Sequence, residues 1–131
     1  MPGARALVER LRAAGTPYCV ASSGTSPEIA HRLGLTGLAD LFGDRVYSAS
    51  MVARGKPEPD LFLLAADRLG VDPRGCVLLE DSPYGVRGGK AAGMTVVGYA
   101  ALADGDVLRG AGADLVVDDL TDPAVAAALG L

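Results

Sequence analysis

The sequence predicts an α/β fold in which a parallel sheet is covered by helices on both faces. Three observations predict it: five short apolar runs, helix-like segments alternating with them, and polar residues gathered where the apolar runs end. With 131 residues, 50% of them hydrophobic, the chain is long enough for one domain with a real core, residues 1–131.

The elements follow in order. Ala4, Leu7, Val8 and Leu11 have the i, i+3, i+4, i+7 spacing of an amphipathic helix over residues 4 to 14, with Gly15 placed to stop it. Tyr18-Cys-Val-Ala-Ser22 is an apolar run without alternation, which predicts a buried strand. Thr25-Ser-Pro-Glu28 has the form of a capping box with proline in the first turn, and predicts a helix through Ile29 and Leu33 to Gly34. A loop with Leu38, Leu41 and Phe42 leads to a weaker strand, Arg45-Val-Tyr-Ser-Ala49. Pro57 and Pro59 forbid a helix interior, but Pro59 suits a first helical turn, and Phe62, Ala65, Ala66 and Leu69 form the buried stripe of a helix ending at Gly70. Cys76-Val-Leu-Leu79 is the clearest strand, followed by a glycine-rich helix from about Pro83 to Ala92. Thr95-Val-Val-Gly-Tyr99 and Leu115-Val-Val117 complete the strands, with polar loops around them.

Composition narrows the partners. A formal net charge of −4, from 12 Lys+Arg against 16 Asp+Glu, gives no basic surplus for nucleic acid or an anionic membrane surface, so a small ligand fits better. No run approaches the roughly 18 apolar residues of a membrane span. The start, Met1-Pro-Gly-Ala-Arg5, lacks the apolar block of a secretory signal, so the expected location is cytoplasmic. Cys19 and Cys76 lie in apolar strands and read as small hydrophobes, since two cysteines and the single His31 make no metal-ligand spacing. His31 itself reads as a surface residue.

In an open parallel α/β sheet, ligands bind outside the carboxyl ends of the strands, so polar residues at strand exits carry most weight. Ser22-Ser23-Gly24 offers a hydroxyl and successive backbone N–H groups at a helix start, an anion site or equally a plain N-cap. Lys56, one of two lysines, sits in a loop stiffened by two prolines, a fixed point charge suited to phosphate or a solvated side chain. Glu80-Asp81, two carboxylates at the end of the most apolar strand, suit Mg²⁺ or an acidic turn capping the next helix. Together the three supply the anion cradle, fixed cation and metal ligands of a phosphoryl-transfer site. Competing phosphate motifs fail: no glycine stands six residues before Lys56 or Lys90, and no strand is followed by G-x-G-x-x-G. A phosphoacceptor receiver domain would want the acidic residues after early strands and the lysine after a late one, the reverse of this order.

Val20-Ala-Ser22, Gly55-Lys-Pro-Glu-Pro-Asp60 and Leu79-Glu-Asp-Ser-Pro-Tyr-Gly85, followed by Ala91-Ala-Gly93, resemble motifs two, three and four of haloacid dehalogenase-like hydrolases, in the branch with β-phosphoglucomutase and phosphoglycolate phosphatase. The resemblance implies a three-layer, Rossmann-like parallel sheet. It implies that Ser22 and the Ser23 amide bind the phosphoryl group of a small phosphorylated metabolite, that Lys56 pairs with it and with the nucleophile, and that Glu80 and Asp81 hold Mg²⁺. Gly85 would let its helix approach closely. In such enzymes an aspartate attacks phosphorus to give an aspartyl-phosphate, and a second aspartate two residues later acts as acid and base. That Asp-x-Asp motif belongs on a strand before everything read above, with a helical cap usually after it. Asp118-Asp119-Leu-Thr-Asp122 matches the terminal strand and loop instead.

The chain is therefore expected to be an N-terminally truncated core, lacking the nucleophile strand and the cap, and inactive alone. The alternative is a remnant that binds anions or a partner without chemistry. Because the absent strand is central in this family, between the strands ending at Ser22 and Glu80, two rows of backbone groups should lose their partners. Direct pairing of residues near Val20 with residues near Leu78, or insertion of a neighbour's strand, is expected for an isolated chain, with self-association through the unpaired strands; a fragment of a larger molecule is expected to show instead an open slot about 10 Å wide, twice the strand spacing.

Overall fold

The computed structural model describes residues 2–101 and 103–131. Helix α1 (Ala4–Ala13) is followed by Gly15 at φ 72°, the left-handed conformation that stops a helix without cost to glycine. Strand β1 (Val20–Ser22) leads to α2 (Ser26–Thr36), where Thr25 Oγ1 accepts the Glu28 N–H at 3.3 Å, so the capping sequence starts a helix as its composition predicts. The helix continues past Gly34 and ends at Gly37, whose φ of 72° makes it the real stop. The stretch expected to be a loop contains a short helix, α3 (Ala39–Phe42). It is pinned by Tyr18, which donates its hydroxyl to the Leu41 carbonyl at 2.7 Å and meets the Phe42 ring edge-on at 5.6 Å.

After β2 (Val46–Ser48) come α4 (Asp60–Leu69), β3 (Val77–Glu80), α5 (Pro83–Ala91), β4 (Thr95–Tyr99), α6 (Gly105–Ala111), β5 (Leu115–Val117) and α7 (Pro123–Ala128). Helices α6 and α7 replace expected polar loops. Their starts are nonetheless written in the sequence, because Asp104 and Asp122 accept the N–H groups of Asp106 and Ala124 at 2.8 and 2.9 Å.

The strands all pair in parallel, and their alternate residues meet two helical layers. Leu7 of α1 and Val125 of α7 pack against Val77, Leu79, Val97 and Val117 on one face. On the other, Phe62 and Ala66 of α4 reach Ala21 and Leu78, while Val86 of α5 and Leu108 of α6 cover Val96 and Val116. This is the predicted three-layer α/β architecture.

One sheet was predicted and two are found. Among the described residues β1 pairs only with β2, and the order of the other sheet is β3-β4-β5. The expected direct pairing of the Val20 and Leu78 regions does not occur among the described residues. The free edges of β1 and β3 instead border one cavity of about 310 Å³. The physical reason is visible in the layers: Leu7 and Leu11 from α1 and Phe62 and Ala66 from α4 line that cavity from opposite sides, so closing it would require both helices to move. The bordering strands are in consequence not fully buried as expected, for Val20, Ala21 and Val77 to Leu79 remain half-buried while Val96 and Val97 of β4 are 0% exposed.

Candidate functional site

The carboxyl ends of β1 and β2 lie side by side, with Ser22 in register with Ser48. Ser22 Oγ accepts the Gly24 N–H at 3.2 Å, which folds the loop back over the strand end and leaves the hydroxyl hydrogen available to an incoming acceptor. Ser23 is exposed at the crest of that loop. Beneath it Ser48, fully buried, donates its hydroxyl to the Gly24 carbonyl at 2.6 Å. Its single hydrogen being used there, the Ser50 hydroxyl must donate to Ser48 Oγ at 2.7 Å, and the Ser50 N–H does so at 3.1 Å. Ser48 thus ties β2 to the loop after β1. It was not among the predicted residues, although the same strand-exit rule that singles out Ser22 applies to it.

Lys56 and Glu80, 24 residues apart, are brought into direct contact: Lys56 Nζ donates to Glu80 Oε2 at 2.8 Å. The side chains are only 11% and 7% exposed, so each charge needs the other. The Lys56 ammonium also lies 5.3 Å from the centre of the Phe62 ring, whose face favours a cation. The other carboxylate oxygen, Oε1, accepts the N–H and the hydroxyl of Ser82, both at 3.3 Å. Ser82 in turn caps α5 by accepting the Gly85 N–H at 3.0 Å. Two glycines let α5 come this close. A Cβ at Gly85 would overlap the Glu80 carboxylate, and one at Gly88 would stand 2.8 Å from Phe62.

Asp81 is exposed immediately beyond this pair. Carboxylate oxygens fit Mg²⁺, which takes one or two of them and keeps several waters. Glu80 already engages both oxygens, and among the described residues no three His, Cys, Asp or Glu side chains cluster to hold a metal. Of the two adjacent carboxylates, Asp81 is the exposed one. No hydrogen bond among the described residues joins Ser22 or Ser23 to the Lys56–Glu80 pair; Ser22 ends β1, Glu80 ends β3 of the other sheet, and Lys56 reaches Glu80 from the loop between β2 and α4.

The remaining polar candidates have other work. Asp119 of the Asp118-Asp119 pair accepts from the N–H and hydroxyl of Thr121 at 2.8 and 2.7 Å, which holds its carboxyl below the usual range. An Asp-x-Asp triplet outside the predicted set, Asp104-Gly-Asp106, lies in the cap of α6, and Asp106 pairs with Arg109 at 2.9 Å. His31 is exposed. Both cysteines are free thiols, and burial pushes Cys19 up to about 11, with a smaller contribution from Cys76.

A parallel three-layer α/β domain with polar side chains at its strand exits belongs to the class that binds ligands at the carboxyl edge of the sheet. The chain is a member of the haloacid dehalogenase-like hydrolase family, whose sequence model matches residues 1–93. It is 44% identical over 105 residues to hexitol phosphatase A of Escherichia coli K12, an alignment covering 79% of this chain and 47% of that protein. A haloacid dehalogenase family hydrolase from Deinococcus radiodurans R1, crystallised with phosphate and sodium, superposes with a TM-score of 0.93 at 35% identity, covering 100% of this chain and 61% of its own. CbbY from Rhodobacter sphaeroides in complex with phosphate superposes at 0.82 with 32% identity, over 99% and 58%. The chain therefore spans about half the length of the first of these relatives and about three fifths of the structures.

Proposed function

We propose that this chain is the phosphate-binding part of an Mg²⁺-dependent phosphatase or phosphomutase acting on a small phosphorylated metabolite. The observation that carries the reading is the buried Lys56–Glu80 pair with exposed Asp81 next to it, at the exit of β3. A lysine held in place by a carboxylate gives a fixed positive charge, and fixed charge is what stabilises a transferring phosphoryl group without reorganisation. Ser22 would donate its hydroxyl hydrogen, and the Ser23 amide its N–H, to phosphoryl oxygens. Asp81, beside Glu80, would hold Mg²⁺; when bound, the ion would supply charge neutralisation for the phosphate. Hexitol phosphatase A among the relatives, and the phosphate in two similar crystal structures, support the ligand class.

The aspartyl-phosphate step that the family resemblance implies requires an aspartate nucleophile, and no aspartate of the motif set stands at this edge except Asp81. The 131-residue chain alone should therefore bind phosphate weakly and hydrolyse no phosphate ester. Titrating inorganic phosphate into the ¹⁵N-labelled chain, with and without MgCl2, should shift the amides of Ser22 to Gly24 and of Lys56, and Lys56→Met should remove the response. Absence of any shift at those amides at saturating phosphate sinks the anion-site reading. Mg²⁺-dependent hydrolysis of p-nitrophenyl phosphate by the purified chain, abolished by Asp81→Ala, would overturn the claim of inactivity.

A further inference from the structure

We infer that Arg54 is a positioning residue: its guanidinium clasps Glu58 and Asp60 across the loop that carries Lys56, and so fixes the main chain that aims the lysine at a phosphoryl group. The inference deepens the phosphate-binding reading of Lys56 and rests on it.

The loop needs a clasp because its main chain supplies little hold of its own. Between Val52 and Pro59, Pro57 and Pro59 have no N–H to give, and among the described residues the one main-chain hydrogen bond closed within the segment runs from the Glu58 N–H to the Gly55 carbonyl at 3.0 Å. The Nζ end of Lys56 is anchored on Glu80 at 2.8 Å and over the Phe62 ring at 5.3 Å. Its Cα end belongs to this loop. A lysine stem is flexible, so its charge stays fixed only where both ends are held.

Arg54 supplies the second hold. Its Nε and Nη2 donate to Oδ2 and Oδ1 of Asp60 at 3.4 and 3.1 Å, the fork that fits a planar guanidinium to a carboxylate, and its Nη1 lies 3.4 Å from Glu58 Oε2. These contacts run from one side of Lys56 in the chain to the other. Asp60 is the first residue of α4, the helix that also carries Phe62, so the clasp joins the start of the loop to the ring beside the ammonium. Helix α5 backs the loop, since a Cβ at Gly88 would stand 3.1 Å from the Glu58 carbonyl oxygen.

An isolated exposed ion pair holds little, because solvent screens it and side-chain entropy opposes it. This one forks onto a carboxylate whose side chain is only 21% exposed and engages a second carboxylate as well, the kind of arrangement in which such pairs do hold. Each guanidinium nitrogen of Arg54 already faces a carboxylate, which fits a clasp and not a direct phosphate ligand.

The test uses the ¹³C- and ¹⁵N-labelled chain with the variants Arg54→Ala, Arg54→Lys and Asp60→Ala. The Cε protons of Lys56 report where its ammonium stands, because the nearby Phe62 ring shifts their resonance. In Arg54→Ala and Asp60→Ala they should move toward the resonance of a solvated lysine. Inorganic phosphate should bind both variants about two- to fivefold more weakly, read at the Lys56 and Ser22–Gly24 amides, with Arg54→Lys, which keeps the charge without the fork, in between. The sign at Asp60 separates the clasp from plain electrostatics. By charge alone, removing a carboxylate from this loop would tighten phosphate, whereas losing the clasp weakens it. Tighter or unchanged binding by Asp60→Ala overturns the proposal, and so do Lys56 Cε protons that keep their resonance when Arg54 is lost. If the parent chain gives no phosphate response at all, the anion-site reading fails and the clasp with it; a parent that responds, with variants that bind as it does, sinks the clasp alone.

Discussion

Placing a methyl group at Gly85 tests whether the close approach of α5 to Glu80 holds the buried pair together. In the structure there is no room for it: the added Cβ would overlap the Glu80 carboxylate, which Lys56 Nζ holds at 2.8 Å and Ser82 at 3.3 Å. Either α5 moves out or Glu80 moves away. The first is overpacking, at about 1–3 kcal/mol. The second separates two charges whose side chains are 11% and 7% exposed, and stranding a buried partner costs about 3–5 kcal/mol. The two are alternatives rather than a sum, and the better helix propensity of alanine offsets about 0.5–1 kcal/mol. A net loss of about 2–4 kcal/mol is therefore expected for Gly85→Ala, measured by urea unfolding followed by far-ultraviolet circular dichroism. Gly34→Ala is the control. It sits inside α2 with nothing within 4 Å of its Cβ and no positive φ, so it should gain about 0.5–1 kcal/mol. If Gly85→Ala unfolds within about 1 kcal/mol of the parent while Gly34→Ala behaves as stated, the steric reasoning is refuted.

Further outcomes follow from the same geometry. Lys56→Met alone should cost about 3–5 kcal/mol by stranding Glu80, and Lys56→Met with Glu80→Gln should cost clearly less than the two single losses added; a strictly additive cycle in urea unfolding refutes the pairing. Ser48→Ala leaves the Gly24 carbonyl without its buried donor and should cost about 1–3 kcal/mol in the same assay. It should also weaken the phosphate response of the Ser22–Gly24 amides. Asp114 accepts the Val96 N–H at 2.8 Å and pairs with Lys90 at 2.9 Å, and these, in that order, lower its carboxyl from the ordinary 3.8. A lowered folded value gives stability that is present above the ordinary value and lost as pH falls through the folded one. Asp114→Asn should therefore cost stability at neutral pH and flatten the acid limb below about pH 4, seen in thermal melts between pH 2 and 7.

Strand positions were legible because a parallel strand covered on both faces must be an apolar run, and the expected runs coincide with β4 and β5 and overlap the other three. The helix start at Thr25 was legible because a capping residue and a proline precede its apolar positions. Short helices such as α6 and α7 were not, since six or seven residues hold too few turns to display a period, and only their aspartate caps announce them. Gly34 misled for a related reason: a glycine in sequence does not show whether its φ is positive, and the one at Gly37 is.

The site was legible as a set of residues but not as a set of contacts. Strand-exit position found Ser22, Lys56, Glu80 and Asp81, yet adjacency in sequence suggested that Glu80 and Asp81 act alike. The fold separates them, because successive residues at a strand end point to opposite sides: Glu80 turns inward to Lys56 and Ser82, and Asp81 stays exposed. The same alternation explains the slot. Residues that face the helices can satisfy themselves with side-chain packing wherever the helices sit, whereas main-chain groups at a strand edge need a partner strand at about 4.8 Å. Apolar packing on α1 and α4 fixes β1 and β3 too far apart for a direct ladder, so side-chain burial overrides main-chain pairing in this domain. Counting unpaired groups favours closure or insertion, and closure does not occur because the helices weigh more: buried Leu7, Leu11, Phe62 and Ala66 would have to be displaced to bring the two edges together.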